Sequence, residues 1–307
     1  MSRVLLEAPP ITTVGLWLLL IPVVVVWWVL RSASVGNEGR FIHAAVRGAV
    51  QLSIVGYVLV PLFDVEHDAL VLLAMCVICC LAAFFSLGVL GSGPGLGLWP
   101  LAVAAILPVV VGLTVFALGA VVGGVGTFEP RYAITLSGML AGNAMNATAL
   151  AGERFLTGLT ERRSEIEDRL LSGLRGRAAV APQVAAALRA AVTPSVNSLF
   201  AVGLVSFPGM MTGQIMAGED PLPAAFWQMM IMALWTSAAT LAPRVFLHLL
   251  AGRMLRDHRI QDELAPGRGP AFRVETYAPD AVGPPPVFRE RPPESMTRGF
   301  IDDAPEQ

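Results

Sequence analysis

Thioether, hydroxyl and amide side chains crowd around a Pro-Gly pair in the run Thr193–Gly218, TPSVNSLFAVGLVSFPGMMTGQIMAG. Met210 and Met211 offer sulfur to soft cations. Ser206, Thr212, Gln214 and freed backbone carbonyls offer oxygen to harder ones. Methionine is also an ordinary filler of membrane interiors, so Met210, Met211 and the later Met229, Met230 and Met232 read as core too. Pro208 cannot donate a helical hydrogen bond, and Gly209 tolerates dihedrals other residues avoid. A membrane-length run broken near its middle survives in lipid only where protein or a water-lined cavity satisfies the freed backbone groups. Broken spans of this kind mark transport paths; the bland alternative is a packed kink without a ligand.

A second polar set lies in Gly138–Thr148, GMLAGNAMNAT. Gly138 and Gly142 form a small-xxx-small pair that lets another helix approach closely. Asn143 and Asn146 are three residues apart and would share a helix face, with Met145 between them. Each amide brings two donors and an acceptor into a place without water. They either hydrogen-bond helices together or line a polar path, and Asn197 is a partner for either role.

A third set, Arg40, His43, Arg47 and Gln51, recurs every three or four residues and lies on one face. Arg47 falls about 10 Å beyond Arg40 along a helix axis. It reads as an interfacial anchor that snorkels to the inner surface, or as a bundle-facing residue linking the membrane part to a cytoplasmic partner. Cys76, Cys79 and Cys80 sit inside one apolar run and read as small buried hydrophobes.

The elements that must position these residues are membrane helices. Of 307 residues, 55% are hydrophobic and only 14% charged, against about 25% charged in a soluble domain. Seven apolar stretches suffice to cross a hydrocarbon core about 30 Å thick: Ile11–Leu30, Phe41–Leu62, Ala69–Leu90, Leu98–Val122, Arg131–Gly152, Ser195–Ala217 and Ala224–Pro243. The fifth is the least apolar. The first reads as an anchor rather than a cleaved signal segment, because its basic flank, Arg31, follows it. The fold class is therefore all-α and polytopic, with about seven transmembrane helices.

Arginine position gives orientation. Arg31, Arg40, Arg154, Arg162, Arg163, Arg169, Arg175, Arg177, Arg189, Arg244, Arg253, Arg256 and Arg259 flank one side, whereas Arg3 and Arg131 flank the other. Basic residues stay inside, so the N-terminus is expected outside and the C-terminus inside. Residues 1–255 then form a transmembrane domain that includes a charged cytoplasmic segment, 153–194. Residues 256–307 form a tail rich in proline and charge, expected to be disordered.

Several chemistries are excluded. All 21 basic residues are arginine, so no Walker A lysine exists and the chain is not its own P-loop ATPase. No acidic residue lies deep in a span, where proton-coupled carriers place relays. No H-E-x-x-H or G-x-S-x-G motif occurs. An intramembrane enzyme is not expected, nor is a nucleic-acid partner.

The segments GNAMNATALAGERF (Gly142–Phe155), TPSVNSL (Thr193–Leu199) and VGLVSFPGMMTGQIMAG (Val202–Gly218), with Arg47, Gln51-Leu52 and Gly56, resemble the FetB/YbbM-type ABC transporter permeases. The resemblance covers about residues 40 to 255. Bacterial members are associated with iron export, and plant relatives with aluminium tolerance and nucleotide-sugar transport. The resemblance implies a multi-pass permease of a bacterial inner or plasma membrane, working as a pair of copies. A separate ATP-binding cassette subunit would carry the ATP, and this chain would bind no cofactor. It also implies a coupling segment, to which Glu165, Glu167 and Gly173 are assigned; Glu167 and Gly173 stand six apart. The substrate path would draw on Asn143, Met145, Asn146, Asn197, Met210, Met211 and Gln214, with the helix break at Pro208 and Gly209. His43, Arg47 and Gln51 remain a polar stripe, and the identity of any metal is open. An ATP-independent carrier or channel, a permease for a nucleotide sugar, and a non-transporting scaffold are the alternatives.

Overall fold

A computed structural model describes residue 15 and residues 18–33, 38–63, 67–88, 95–122, 129–174 and 176–255. The described residues form helices α1 (Leu20–Ser32), α2 (Glu38–Phe63), α3 (Asp68–Gly88), α4 (Gly95–Phe116), α5 (Pro130–Glu161), α6 (Arg163–Leu171), α7 (Ala181–Ala201), α8 (Gly209–Met216) and α9 (Pro221–Met254). A π-helical turn, Ala117–Val121, extends α4, and a 3-10 turn, Gly176–Ala178, precedes α7. The expected tail, 256–307, and the upstream part of the first predicted span lie outside the described residues.

Among the described residues, five helical stretches are long and apolar enough to cross a membrane: Phe41–Phe63, Asp68–Gly88, Gly97–Val121, Ala181–Ala201 and Pro221–Met254. Helix α5 has 32 residues, ample for a crossing, but its glycines, asparagines and threonines lower its hydropathy. Its packing compensates. Leu140, Ala141, Ala144, Ala147 and Ala151 are all buried and form one core with residues of α3, α4, α7 and α9. Small residues on that face let neighbouring backbones come close, which is how helices associate where lipid offers no hydrophobic drive.

Three helices differ from expectation at their inner ends. The seventh span was expected to stop at Pro243, but α9 continues to Met254. The fifth span was expected to stop at Gly152, but α5 continues to Glu161. The sixth was expected to begin at Ser195, but α7 begins fourteen residues earlier, at Ala181, with Pro182 in its first turn. Alanine is the strongest helix former, and Ala185-Ala186-Ala187 and Ala190-Ala191 carry the helix through a stretch that hydropathy alone reads as a loop. Gln183, Ala187 and Ala191 are its buried face. The segment 153–194 is thus mostly the inner ends of two membrane helices joined by α6.

Two long-range hydrogen bonds tie the inner ends together. Arg253 Nη1 donates to the Gly97 carbonyl at 2.6 Å, joining α9 to α4. Arg177 Nε donates to the His248 carbonyl at 3.1 Å, joining the 3-10 turn to α9. Helix α2 is peripheral: no residue of its apolar window is buried. Leu59 and Leu62 near its outer end pack against a small cluster around Val71, Met75 and Ile134.

Candidate functional site

The interrupted crossing is the centre of the site. Helix α7 stops at Ala201, and the chain resumes as helix only at Gly209. The seven residues between, 202–208, form a tight turn rather than a kink. Gly203 takes φ +79°, a left-handed conformation that disfavours residues with a Cβ. Its N–H donates to the Ser206 carbonyl at 2.9 Å, while the N–H groups of Val205 and Ser206 both reach the Ala201 carbonyl. Pro208 is not mid-helix: extended at ψ 144°, it is the N-cap of α8. Its carbonyl accepts from the Thr212 backbone N–H and hydroxyl, at 3.1 and 3.0 Å. Gly218 closes α8 with φ +91° and paired bonds back to Ile215 and Gln214, a Schellman cap.

The turn pairs the N–H groups of residues 202–206 but leaves most of its acceptors open. Among the described residues, the carbonyls of Val202, Gly203, Leu204, Val205 and Phe207 accept no hydrogen bond. Two markers fix their depth. Gln183 near the start of α7 lies against Gly158 of α5, and eighteen residues of helix then rise about 27 Å. Past the turn, Met210 borders the same cavity as Thr135, Leu136 and Met139 of α5. Both place the turn beside the middle of the predicted fifth span. Unpaired carbonyls at that depth are oxygen ligands for a cation or an expense to be covered by protein.

The cavity beside the turn has a volume of about 300 Å³. Met139, Met210 and Met230 bring three thioethers to it from three helices, with Arg131 and the stacked pair Tyr132–Trp227 (ring centroids 5.6 Å apart) toward its outer end. Sequence reasoning named Met210 and noted Met230, but passed over Arg131, Tyr132, Thr135, Met139 and Trp227. The available signal was helical spacing: Tyr132, Thr135, Leu136 and Met139 are three and four apart and face one way.

The other sequence-named residues scatter. Asn143 Nδ2 donates to the Trp235 carbonyl at 2.8 Å and pins α5 to α9. Asn146 is exposed, so the two amides do not serve one surface. Asn197 is exposed on α7, and Met145 is half-buried against the core. Met211 is half-buried outside the cavity lining; Gln214 holds a buried Oε1 without a partner among the described residues. On α2, His43, Arg47 and Gln51 are all exposed. Arg47 lays its guanidinium 4.6 Å from the centroid of the Phe85 ring on α3, which shelters the charge by a cation–π contact.

In α6, Glu165 pairs with Arg162 (3.7 Å) and Arg169, and Glu167 pairs with Arg163 at 2.8 Å. These are exposed i,i+3 and i,i+4 pairs that support the helix. Gly173 takes φ +95°, with Gly173 N–H on the Leu170 carbonyl and Leu174 N–H on Arg169. A helix cap thus accounts for the glycine and an intrahelical pair for the glutamate. The three cysteines are free thiols, and among the described residues no cluster of His, Cys, Asp and Glu could hold a metal ion.

These features define a polytopic α-helical membrane protein whose sixth crossing is interrupted beside a cavity. The chain belongs to the family described as Uncharacterised protein family (UPF0014), which it matches over residues 12–255. It is 35% identical over 215 residues to a UPF0014 membrane protein of Synechocystis sp., covering 69% of this chain and 82% of that one. It is 31% identical over 239 residues to the "Probable iron export permease protein FetB" of Escherichia coli, covering 78% and 90%. It is 32% identical over 211 residues to Protein ALUMINUM SENSITIVE 3 of Arabidopsis thaliana, covering 69% and 76%. No solved structure matches it. The family expected from the motifs is the family found, a family of membrane proteins, and the chain is a multi-pass membrane protein.

Proposed function

We infer that this permease is the membrane subunit of an ABC-type pump that exports a metal ion, iron being the first cargo to test, powered by a separate ATP-binding subunit. The observation that supports it best is the mid-membrane turn at 202–208, with its unpaired carbonyls, leading into Met210 of the thioether-lined cavity. Unwound backbone at the midplane is how many carriers bind ions. The relative named as an iron export permease points to the cargo, and the missing lysine requires the ATPase to be another chain.

Two copies form the working unit in this reading. Leu204 is 87% exposed and Val205 84%, beside exposed Phe200 and Phe207. A second copy over this face would cover the open backbone that lipid cannot satisfy.

Cells lacking their own exporter, loaded with iron, should retain less metal when this chain is expressed with its cognate ATPase than with either alone. ATP hydrolysis by that subunit should rise when the permease is added. Equal retention in all strains, with no stimulation, would refute the pump. Loss of metal without the ATPase would establish the ATP-independent carrier instead.

A further inference from the structure

A second cavity, of about 270 Å³, opens between the inner ends of α5 and α7. Arg154, Thr157, Glu161, Arg162 and Gln183 give it a polar lining unlike that of the methionine cavity. Gln183 is the unusual member. It is only 5% exposed, yet neither its Nε2 nor its Oε1 has a partner among the described residues. A buried amide left unpaired on both sides is costly, and native structures seldom keep one without reason. Packing does not supply the reason: Gln183 meets Gly158 through its Cβ and Cγ, the Cγ 3.5 Å from where a Cβ on Gly158 would stand. Arg154 makes no ion pair among the described residues, and Arg162 has only the 3.7 Å contact to Glu165.

Position narrows the ligand. By the arginine asymmetry this end of the bundle is the inner one. Arg154 and Arg162 lie two and ten residues past Gly152, the predicted inner border of the fifth span, or about 3 and 15 Å. Arg154 falls within the headgroup layer, which adds about 5–7 Å to each face of the hydrocarbon, and Arg162, beyond that layer, lines the same cavity. Two guanidiniums there match a phosphate. Gln183 adds a donor and an acceptor deeper in the cavity, and Glu161 and Thr157 accept from hydroxyls.

We propose that this cavity binds a phosphate group that carries neighbouring hydroxyls, with Arg154 and Arg162 holding the phosphate and Gln183 reading the hydroxyl part. The ligand is a hydroxylated anionic phospholipid headgroup or a soluble phosphate ester of the same chemistry. The site stands whether or not an ATPase drives the permease.

The full chain, stripped of lipid in detergent, tests this by native mass spectrometry with phosphatidylglycerol, with phosphatidylcholine as the zwitterionic control, and with glycerol phosphate as competitor. Phosphatidylglycerol should be retained about tenfold more tightly than phosphatidylcholine, and Arg154→Ala should remove about tenfold of that. Gln183→Leu should lower retention too while leaving the fold at least as stable, since it removes the unpaired amide. Displacement of the lipid by millimolar glycerol phosphate assigns the site to a soluble ester. Failure of glycerol phosphate to compete assigns it to the headgroup. Equal retention of the two lipids, or variants that hold phosphatidylglycerol like the parent, overturns the proposal.

Discussion

Gly203→Val should abolish most transport while the protein still inserts and folds. No side chain or backbone atom lies within 4 Å of where the new Cβ would stand, so crowding is not the obstacle. Conformation is. Gly203 holds φ +79°, where an L residue is strained by about 1–2 kcal/mol and a β-branched one by more. At about 1.4 kcal/mol per tenfold, the native turn loses about 10–100-fold in population to forms that no longer line up its carbonyls. The bundle core does not include the turn, so yield and thermal stability in detergent should change little. Gly203→Asn is the matched control. Asparagine adopts the left-handed region several times more readily than other residues, so it should keep most activity. Measuring metal retention beside membrane yield separates the cases. Valine and asparagine variants that transport alike would detach function from this turn.

The contrast between Pro208 and Gly203 shows what the sequence made legible. Proline and glycine in an apolar run announce that a helix is interrupted, but not where it ends. The break was expected at Pro208-Gly209, yet the helix stops at Ala201, because Val202 is already extended at ψ 134° and Gly203 follows in a left-handed conformation, while Pro208 starts the next helix. Periodicity served well for α3 and α4, where apolar length and burial coincide, but it stopped α9 at Pro243 when the helix runs on to Met254. It served less well for α5 and the first half of α7, where small residues pack tightly without raising hydropathy. Pairings across helices were the least legible. Asn143 meets a backbone carbonyl rather than Asn146 or Asn197, because a single amide in lipid takes any nearby acceptor and sequence spacing does not say which helix supplies it. Gln183 could have been found: it is the one amide on a face otherwise made of Ala187 and Ala191.

The largest loss of stability should come from Phe155→Ala, at the point where α5 leaves the predicted membrane. Phe155 is 0% exposed and belongs to the main core. Near the aqueous boundary its burial removes apolar surface from water as well as filling space, so both the transfer term and the cavity term apply. Truncations of this kind cost about 3–5 kcal/mol, a large share of a total of about 5–15 kcal/mol. Thermal unfolding in detergent should fall by about 6–20 °C, at about 2–4 °C per kcal/mol for a chain of this size. Tyr57→Ala is the opposite case. Tyr57 is 83% exposed on peripheral α2, and its loss should move the midpoint by less than about 2 °C. The comparison also bears on how the inner ends cohere. If the inner ends were held only by hydrogen bonds such as those from Arg177 and Arg253 to backbone carbonyls, Phe155→Ala would be nearly silent. A shift below about 2 °C would therefore show that the helical extension past Gly152 is not part of the packed core.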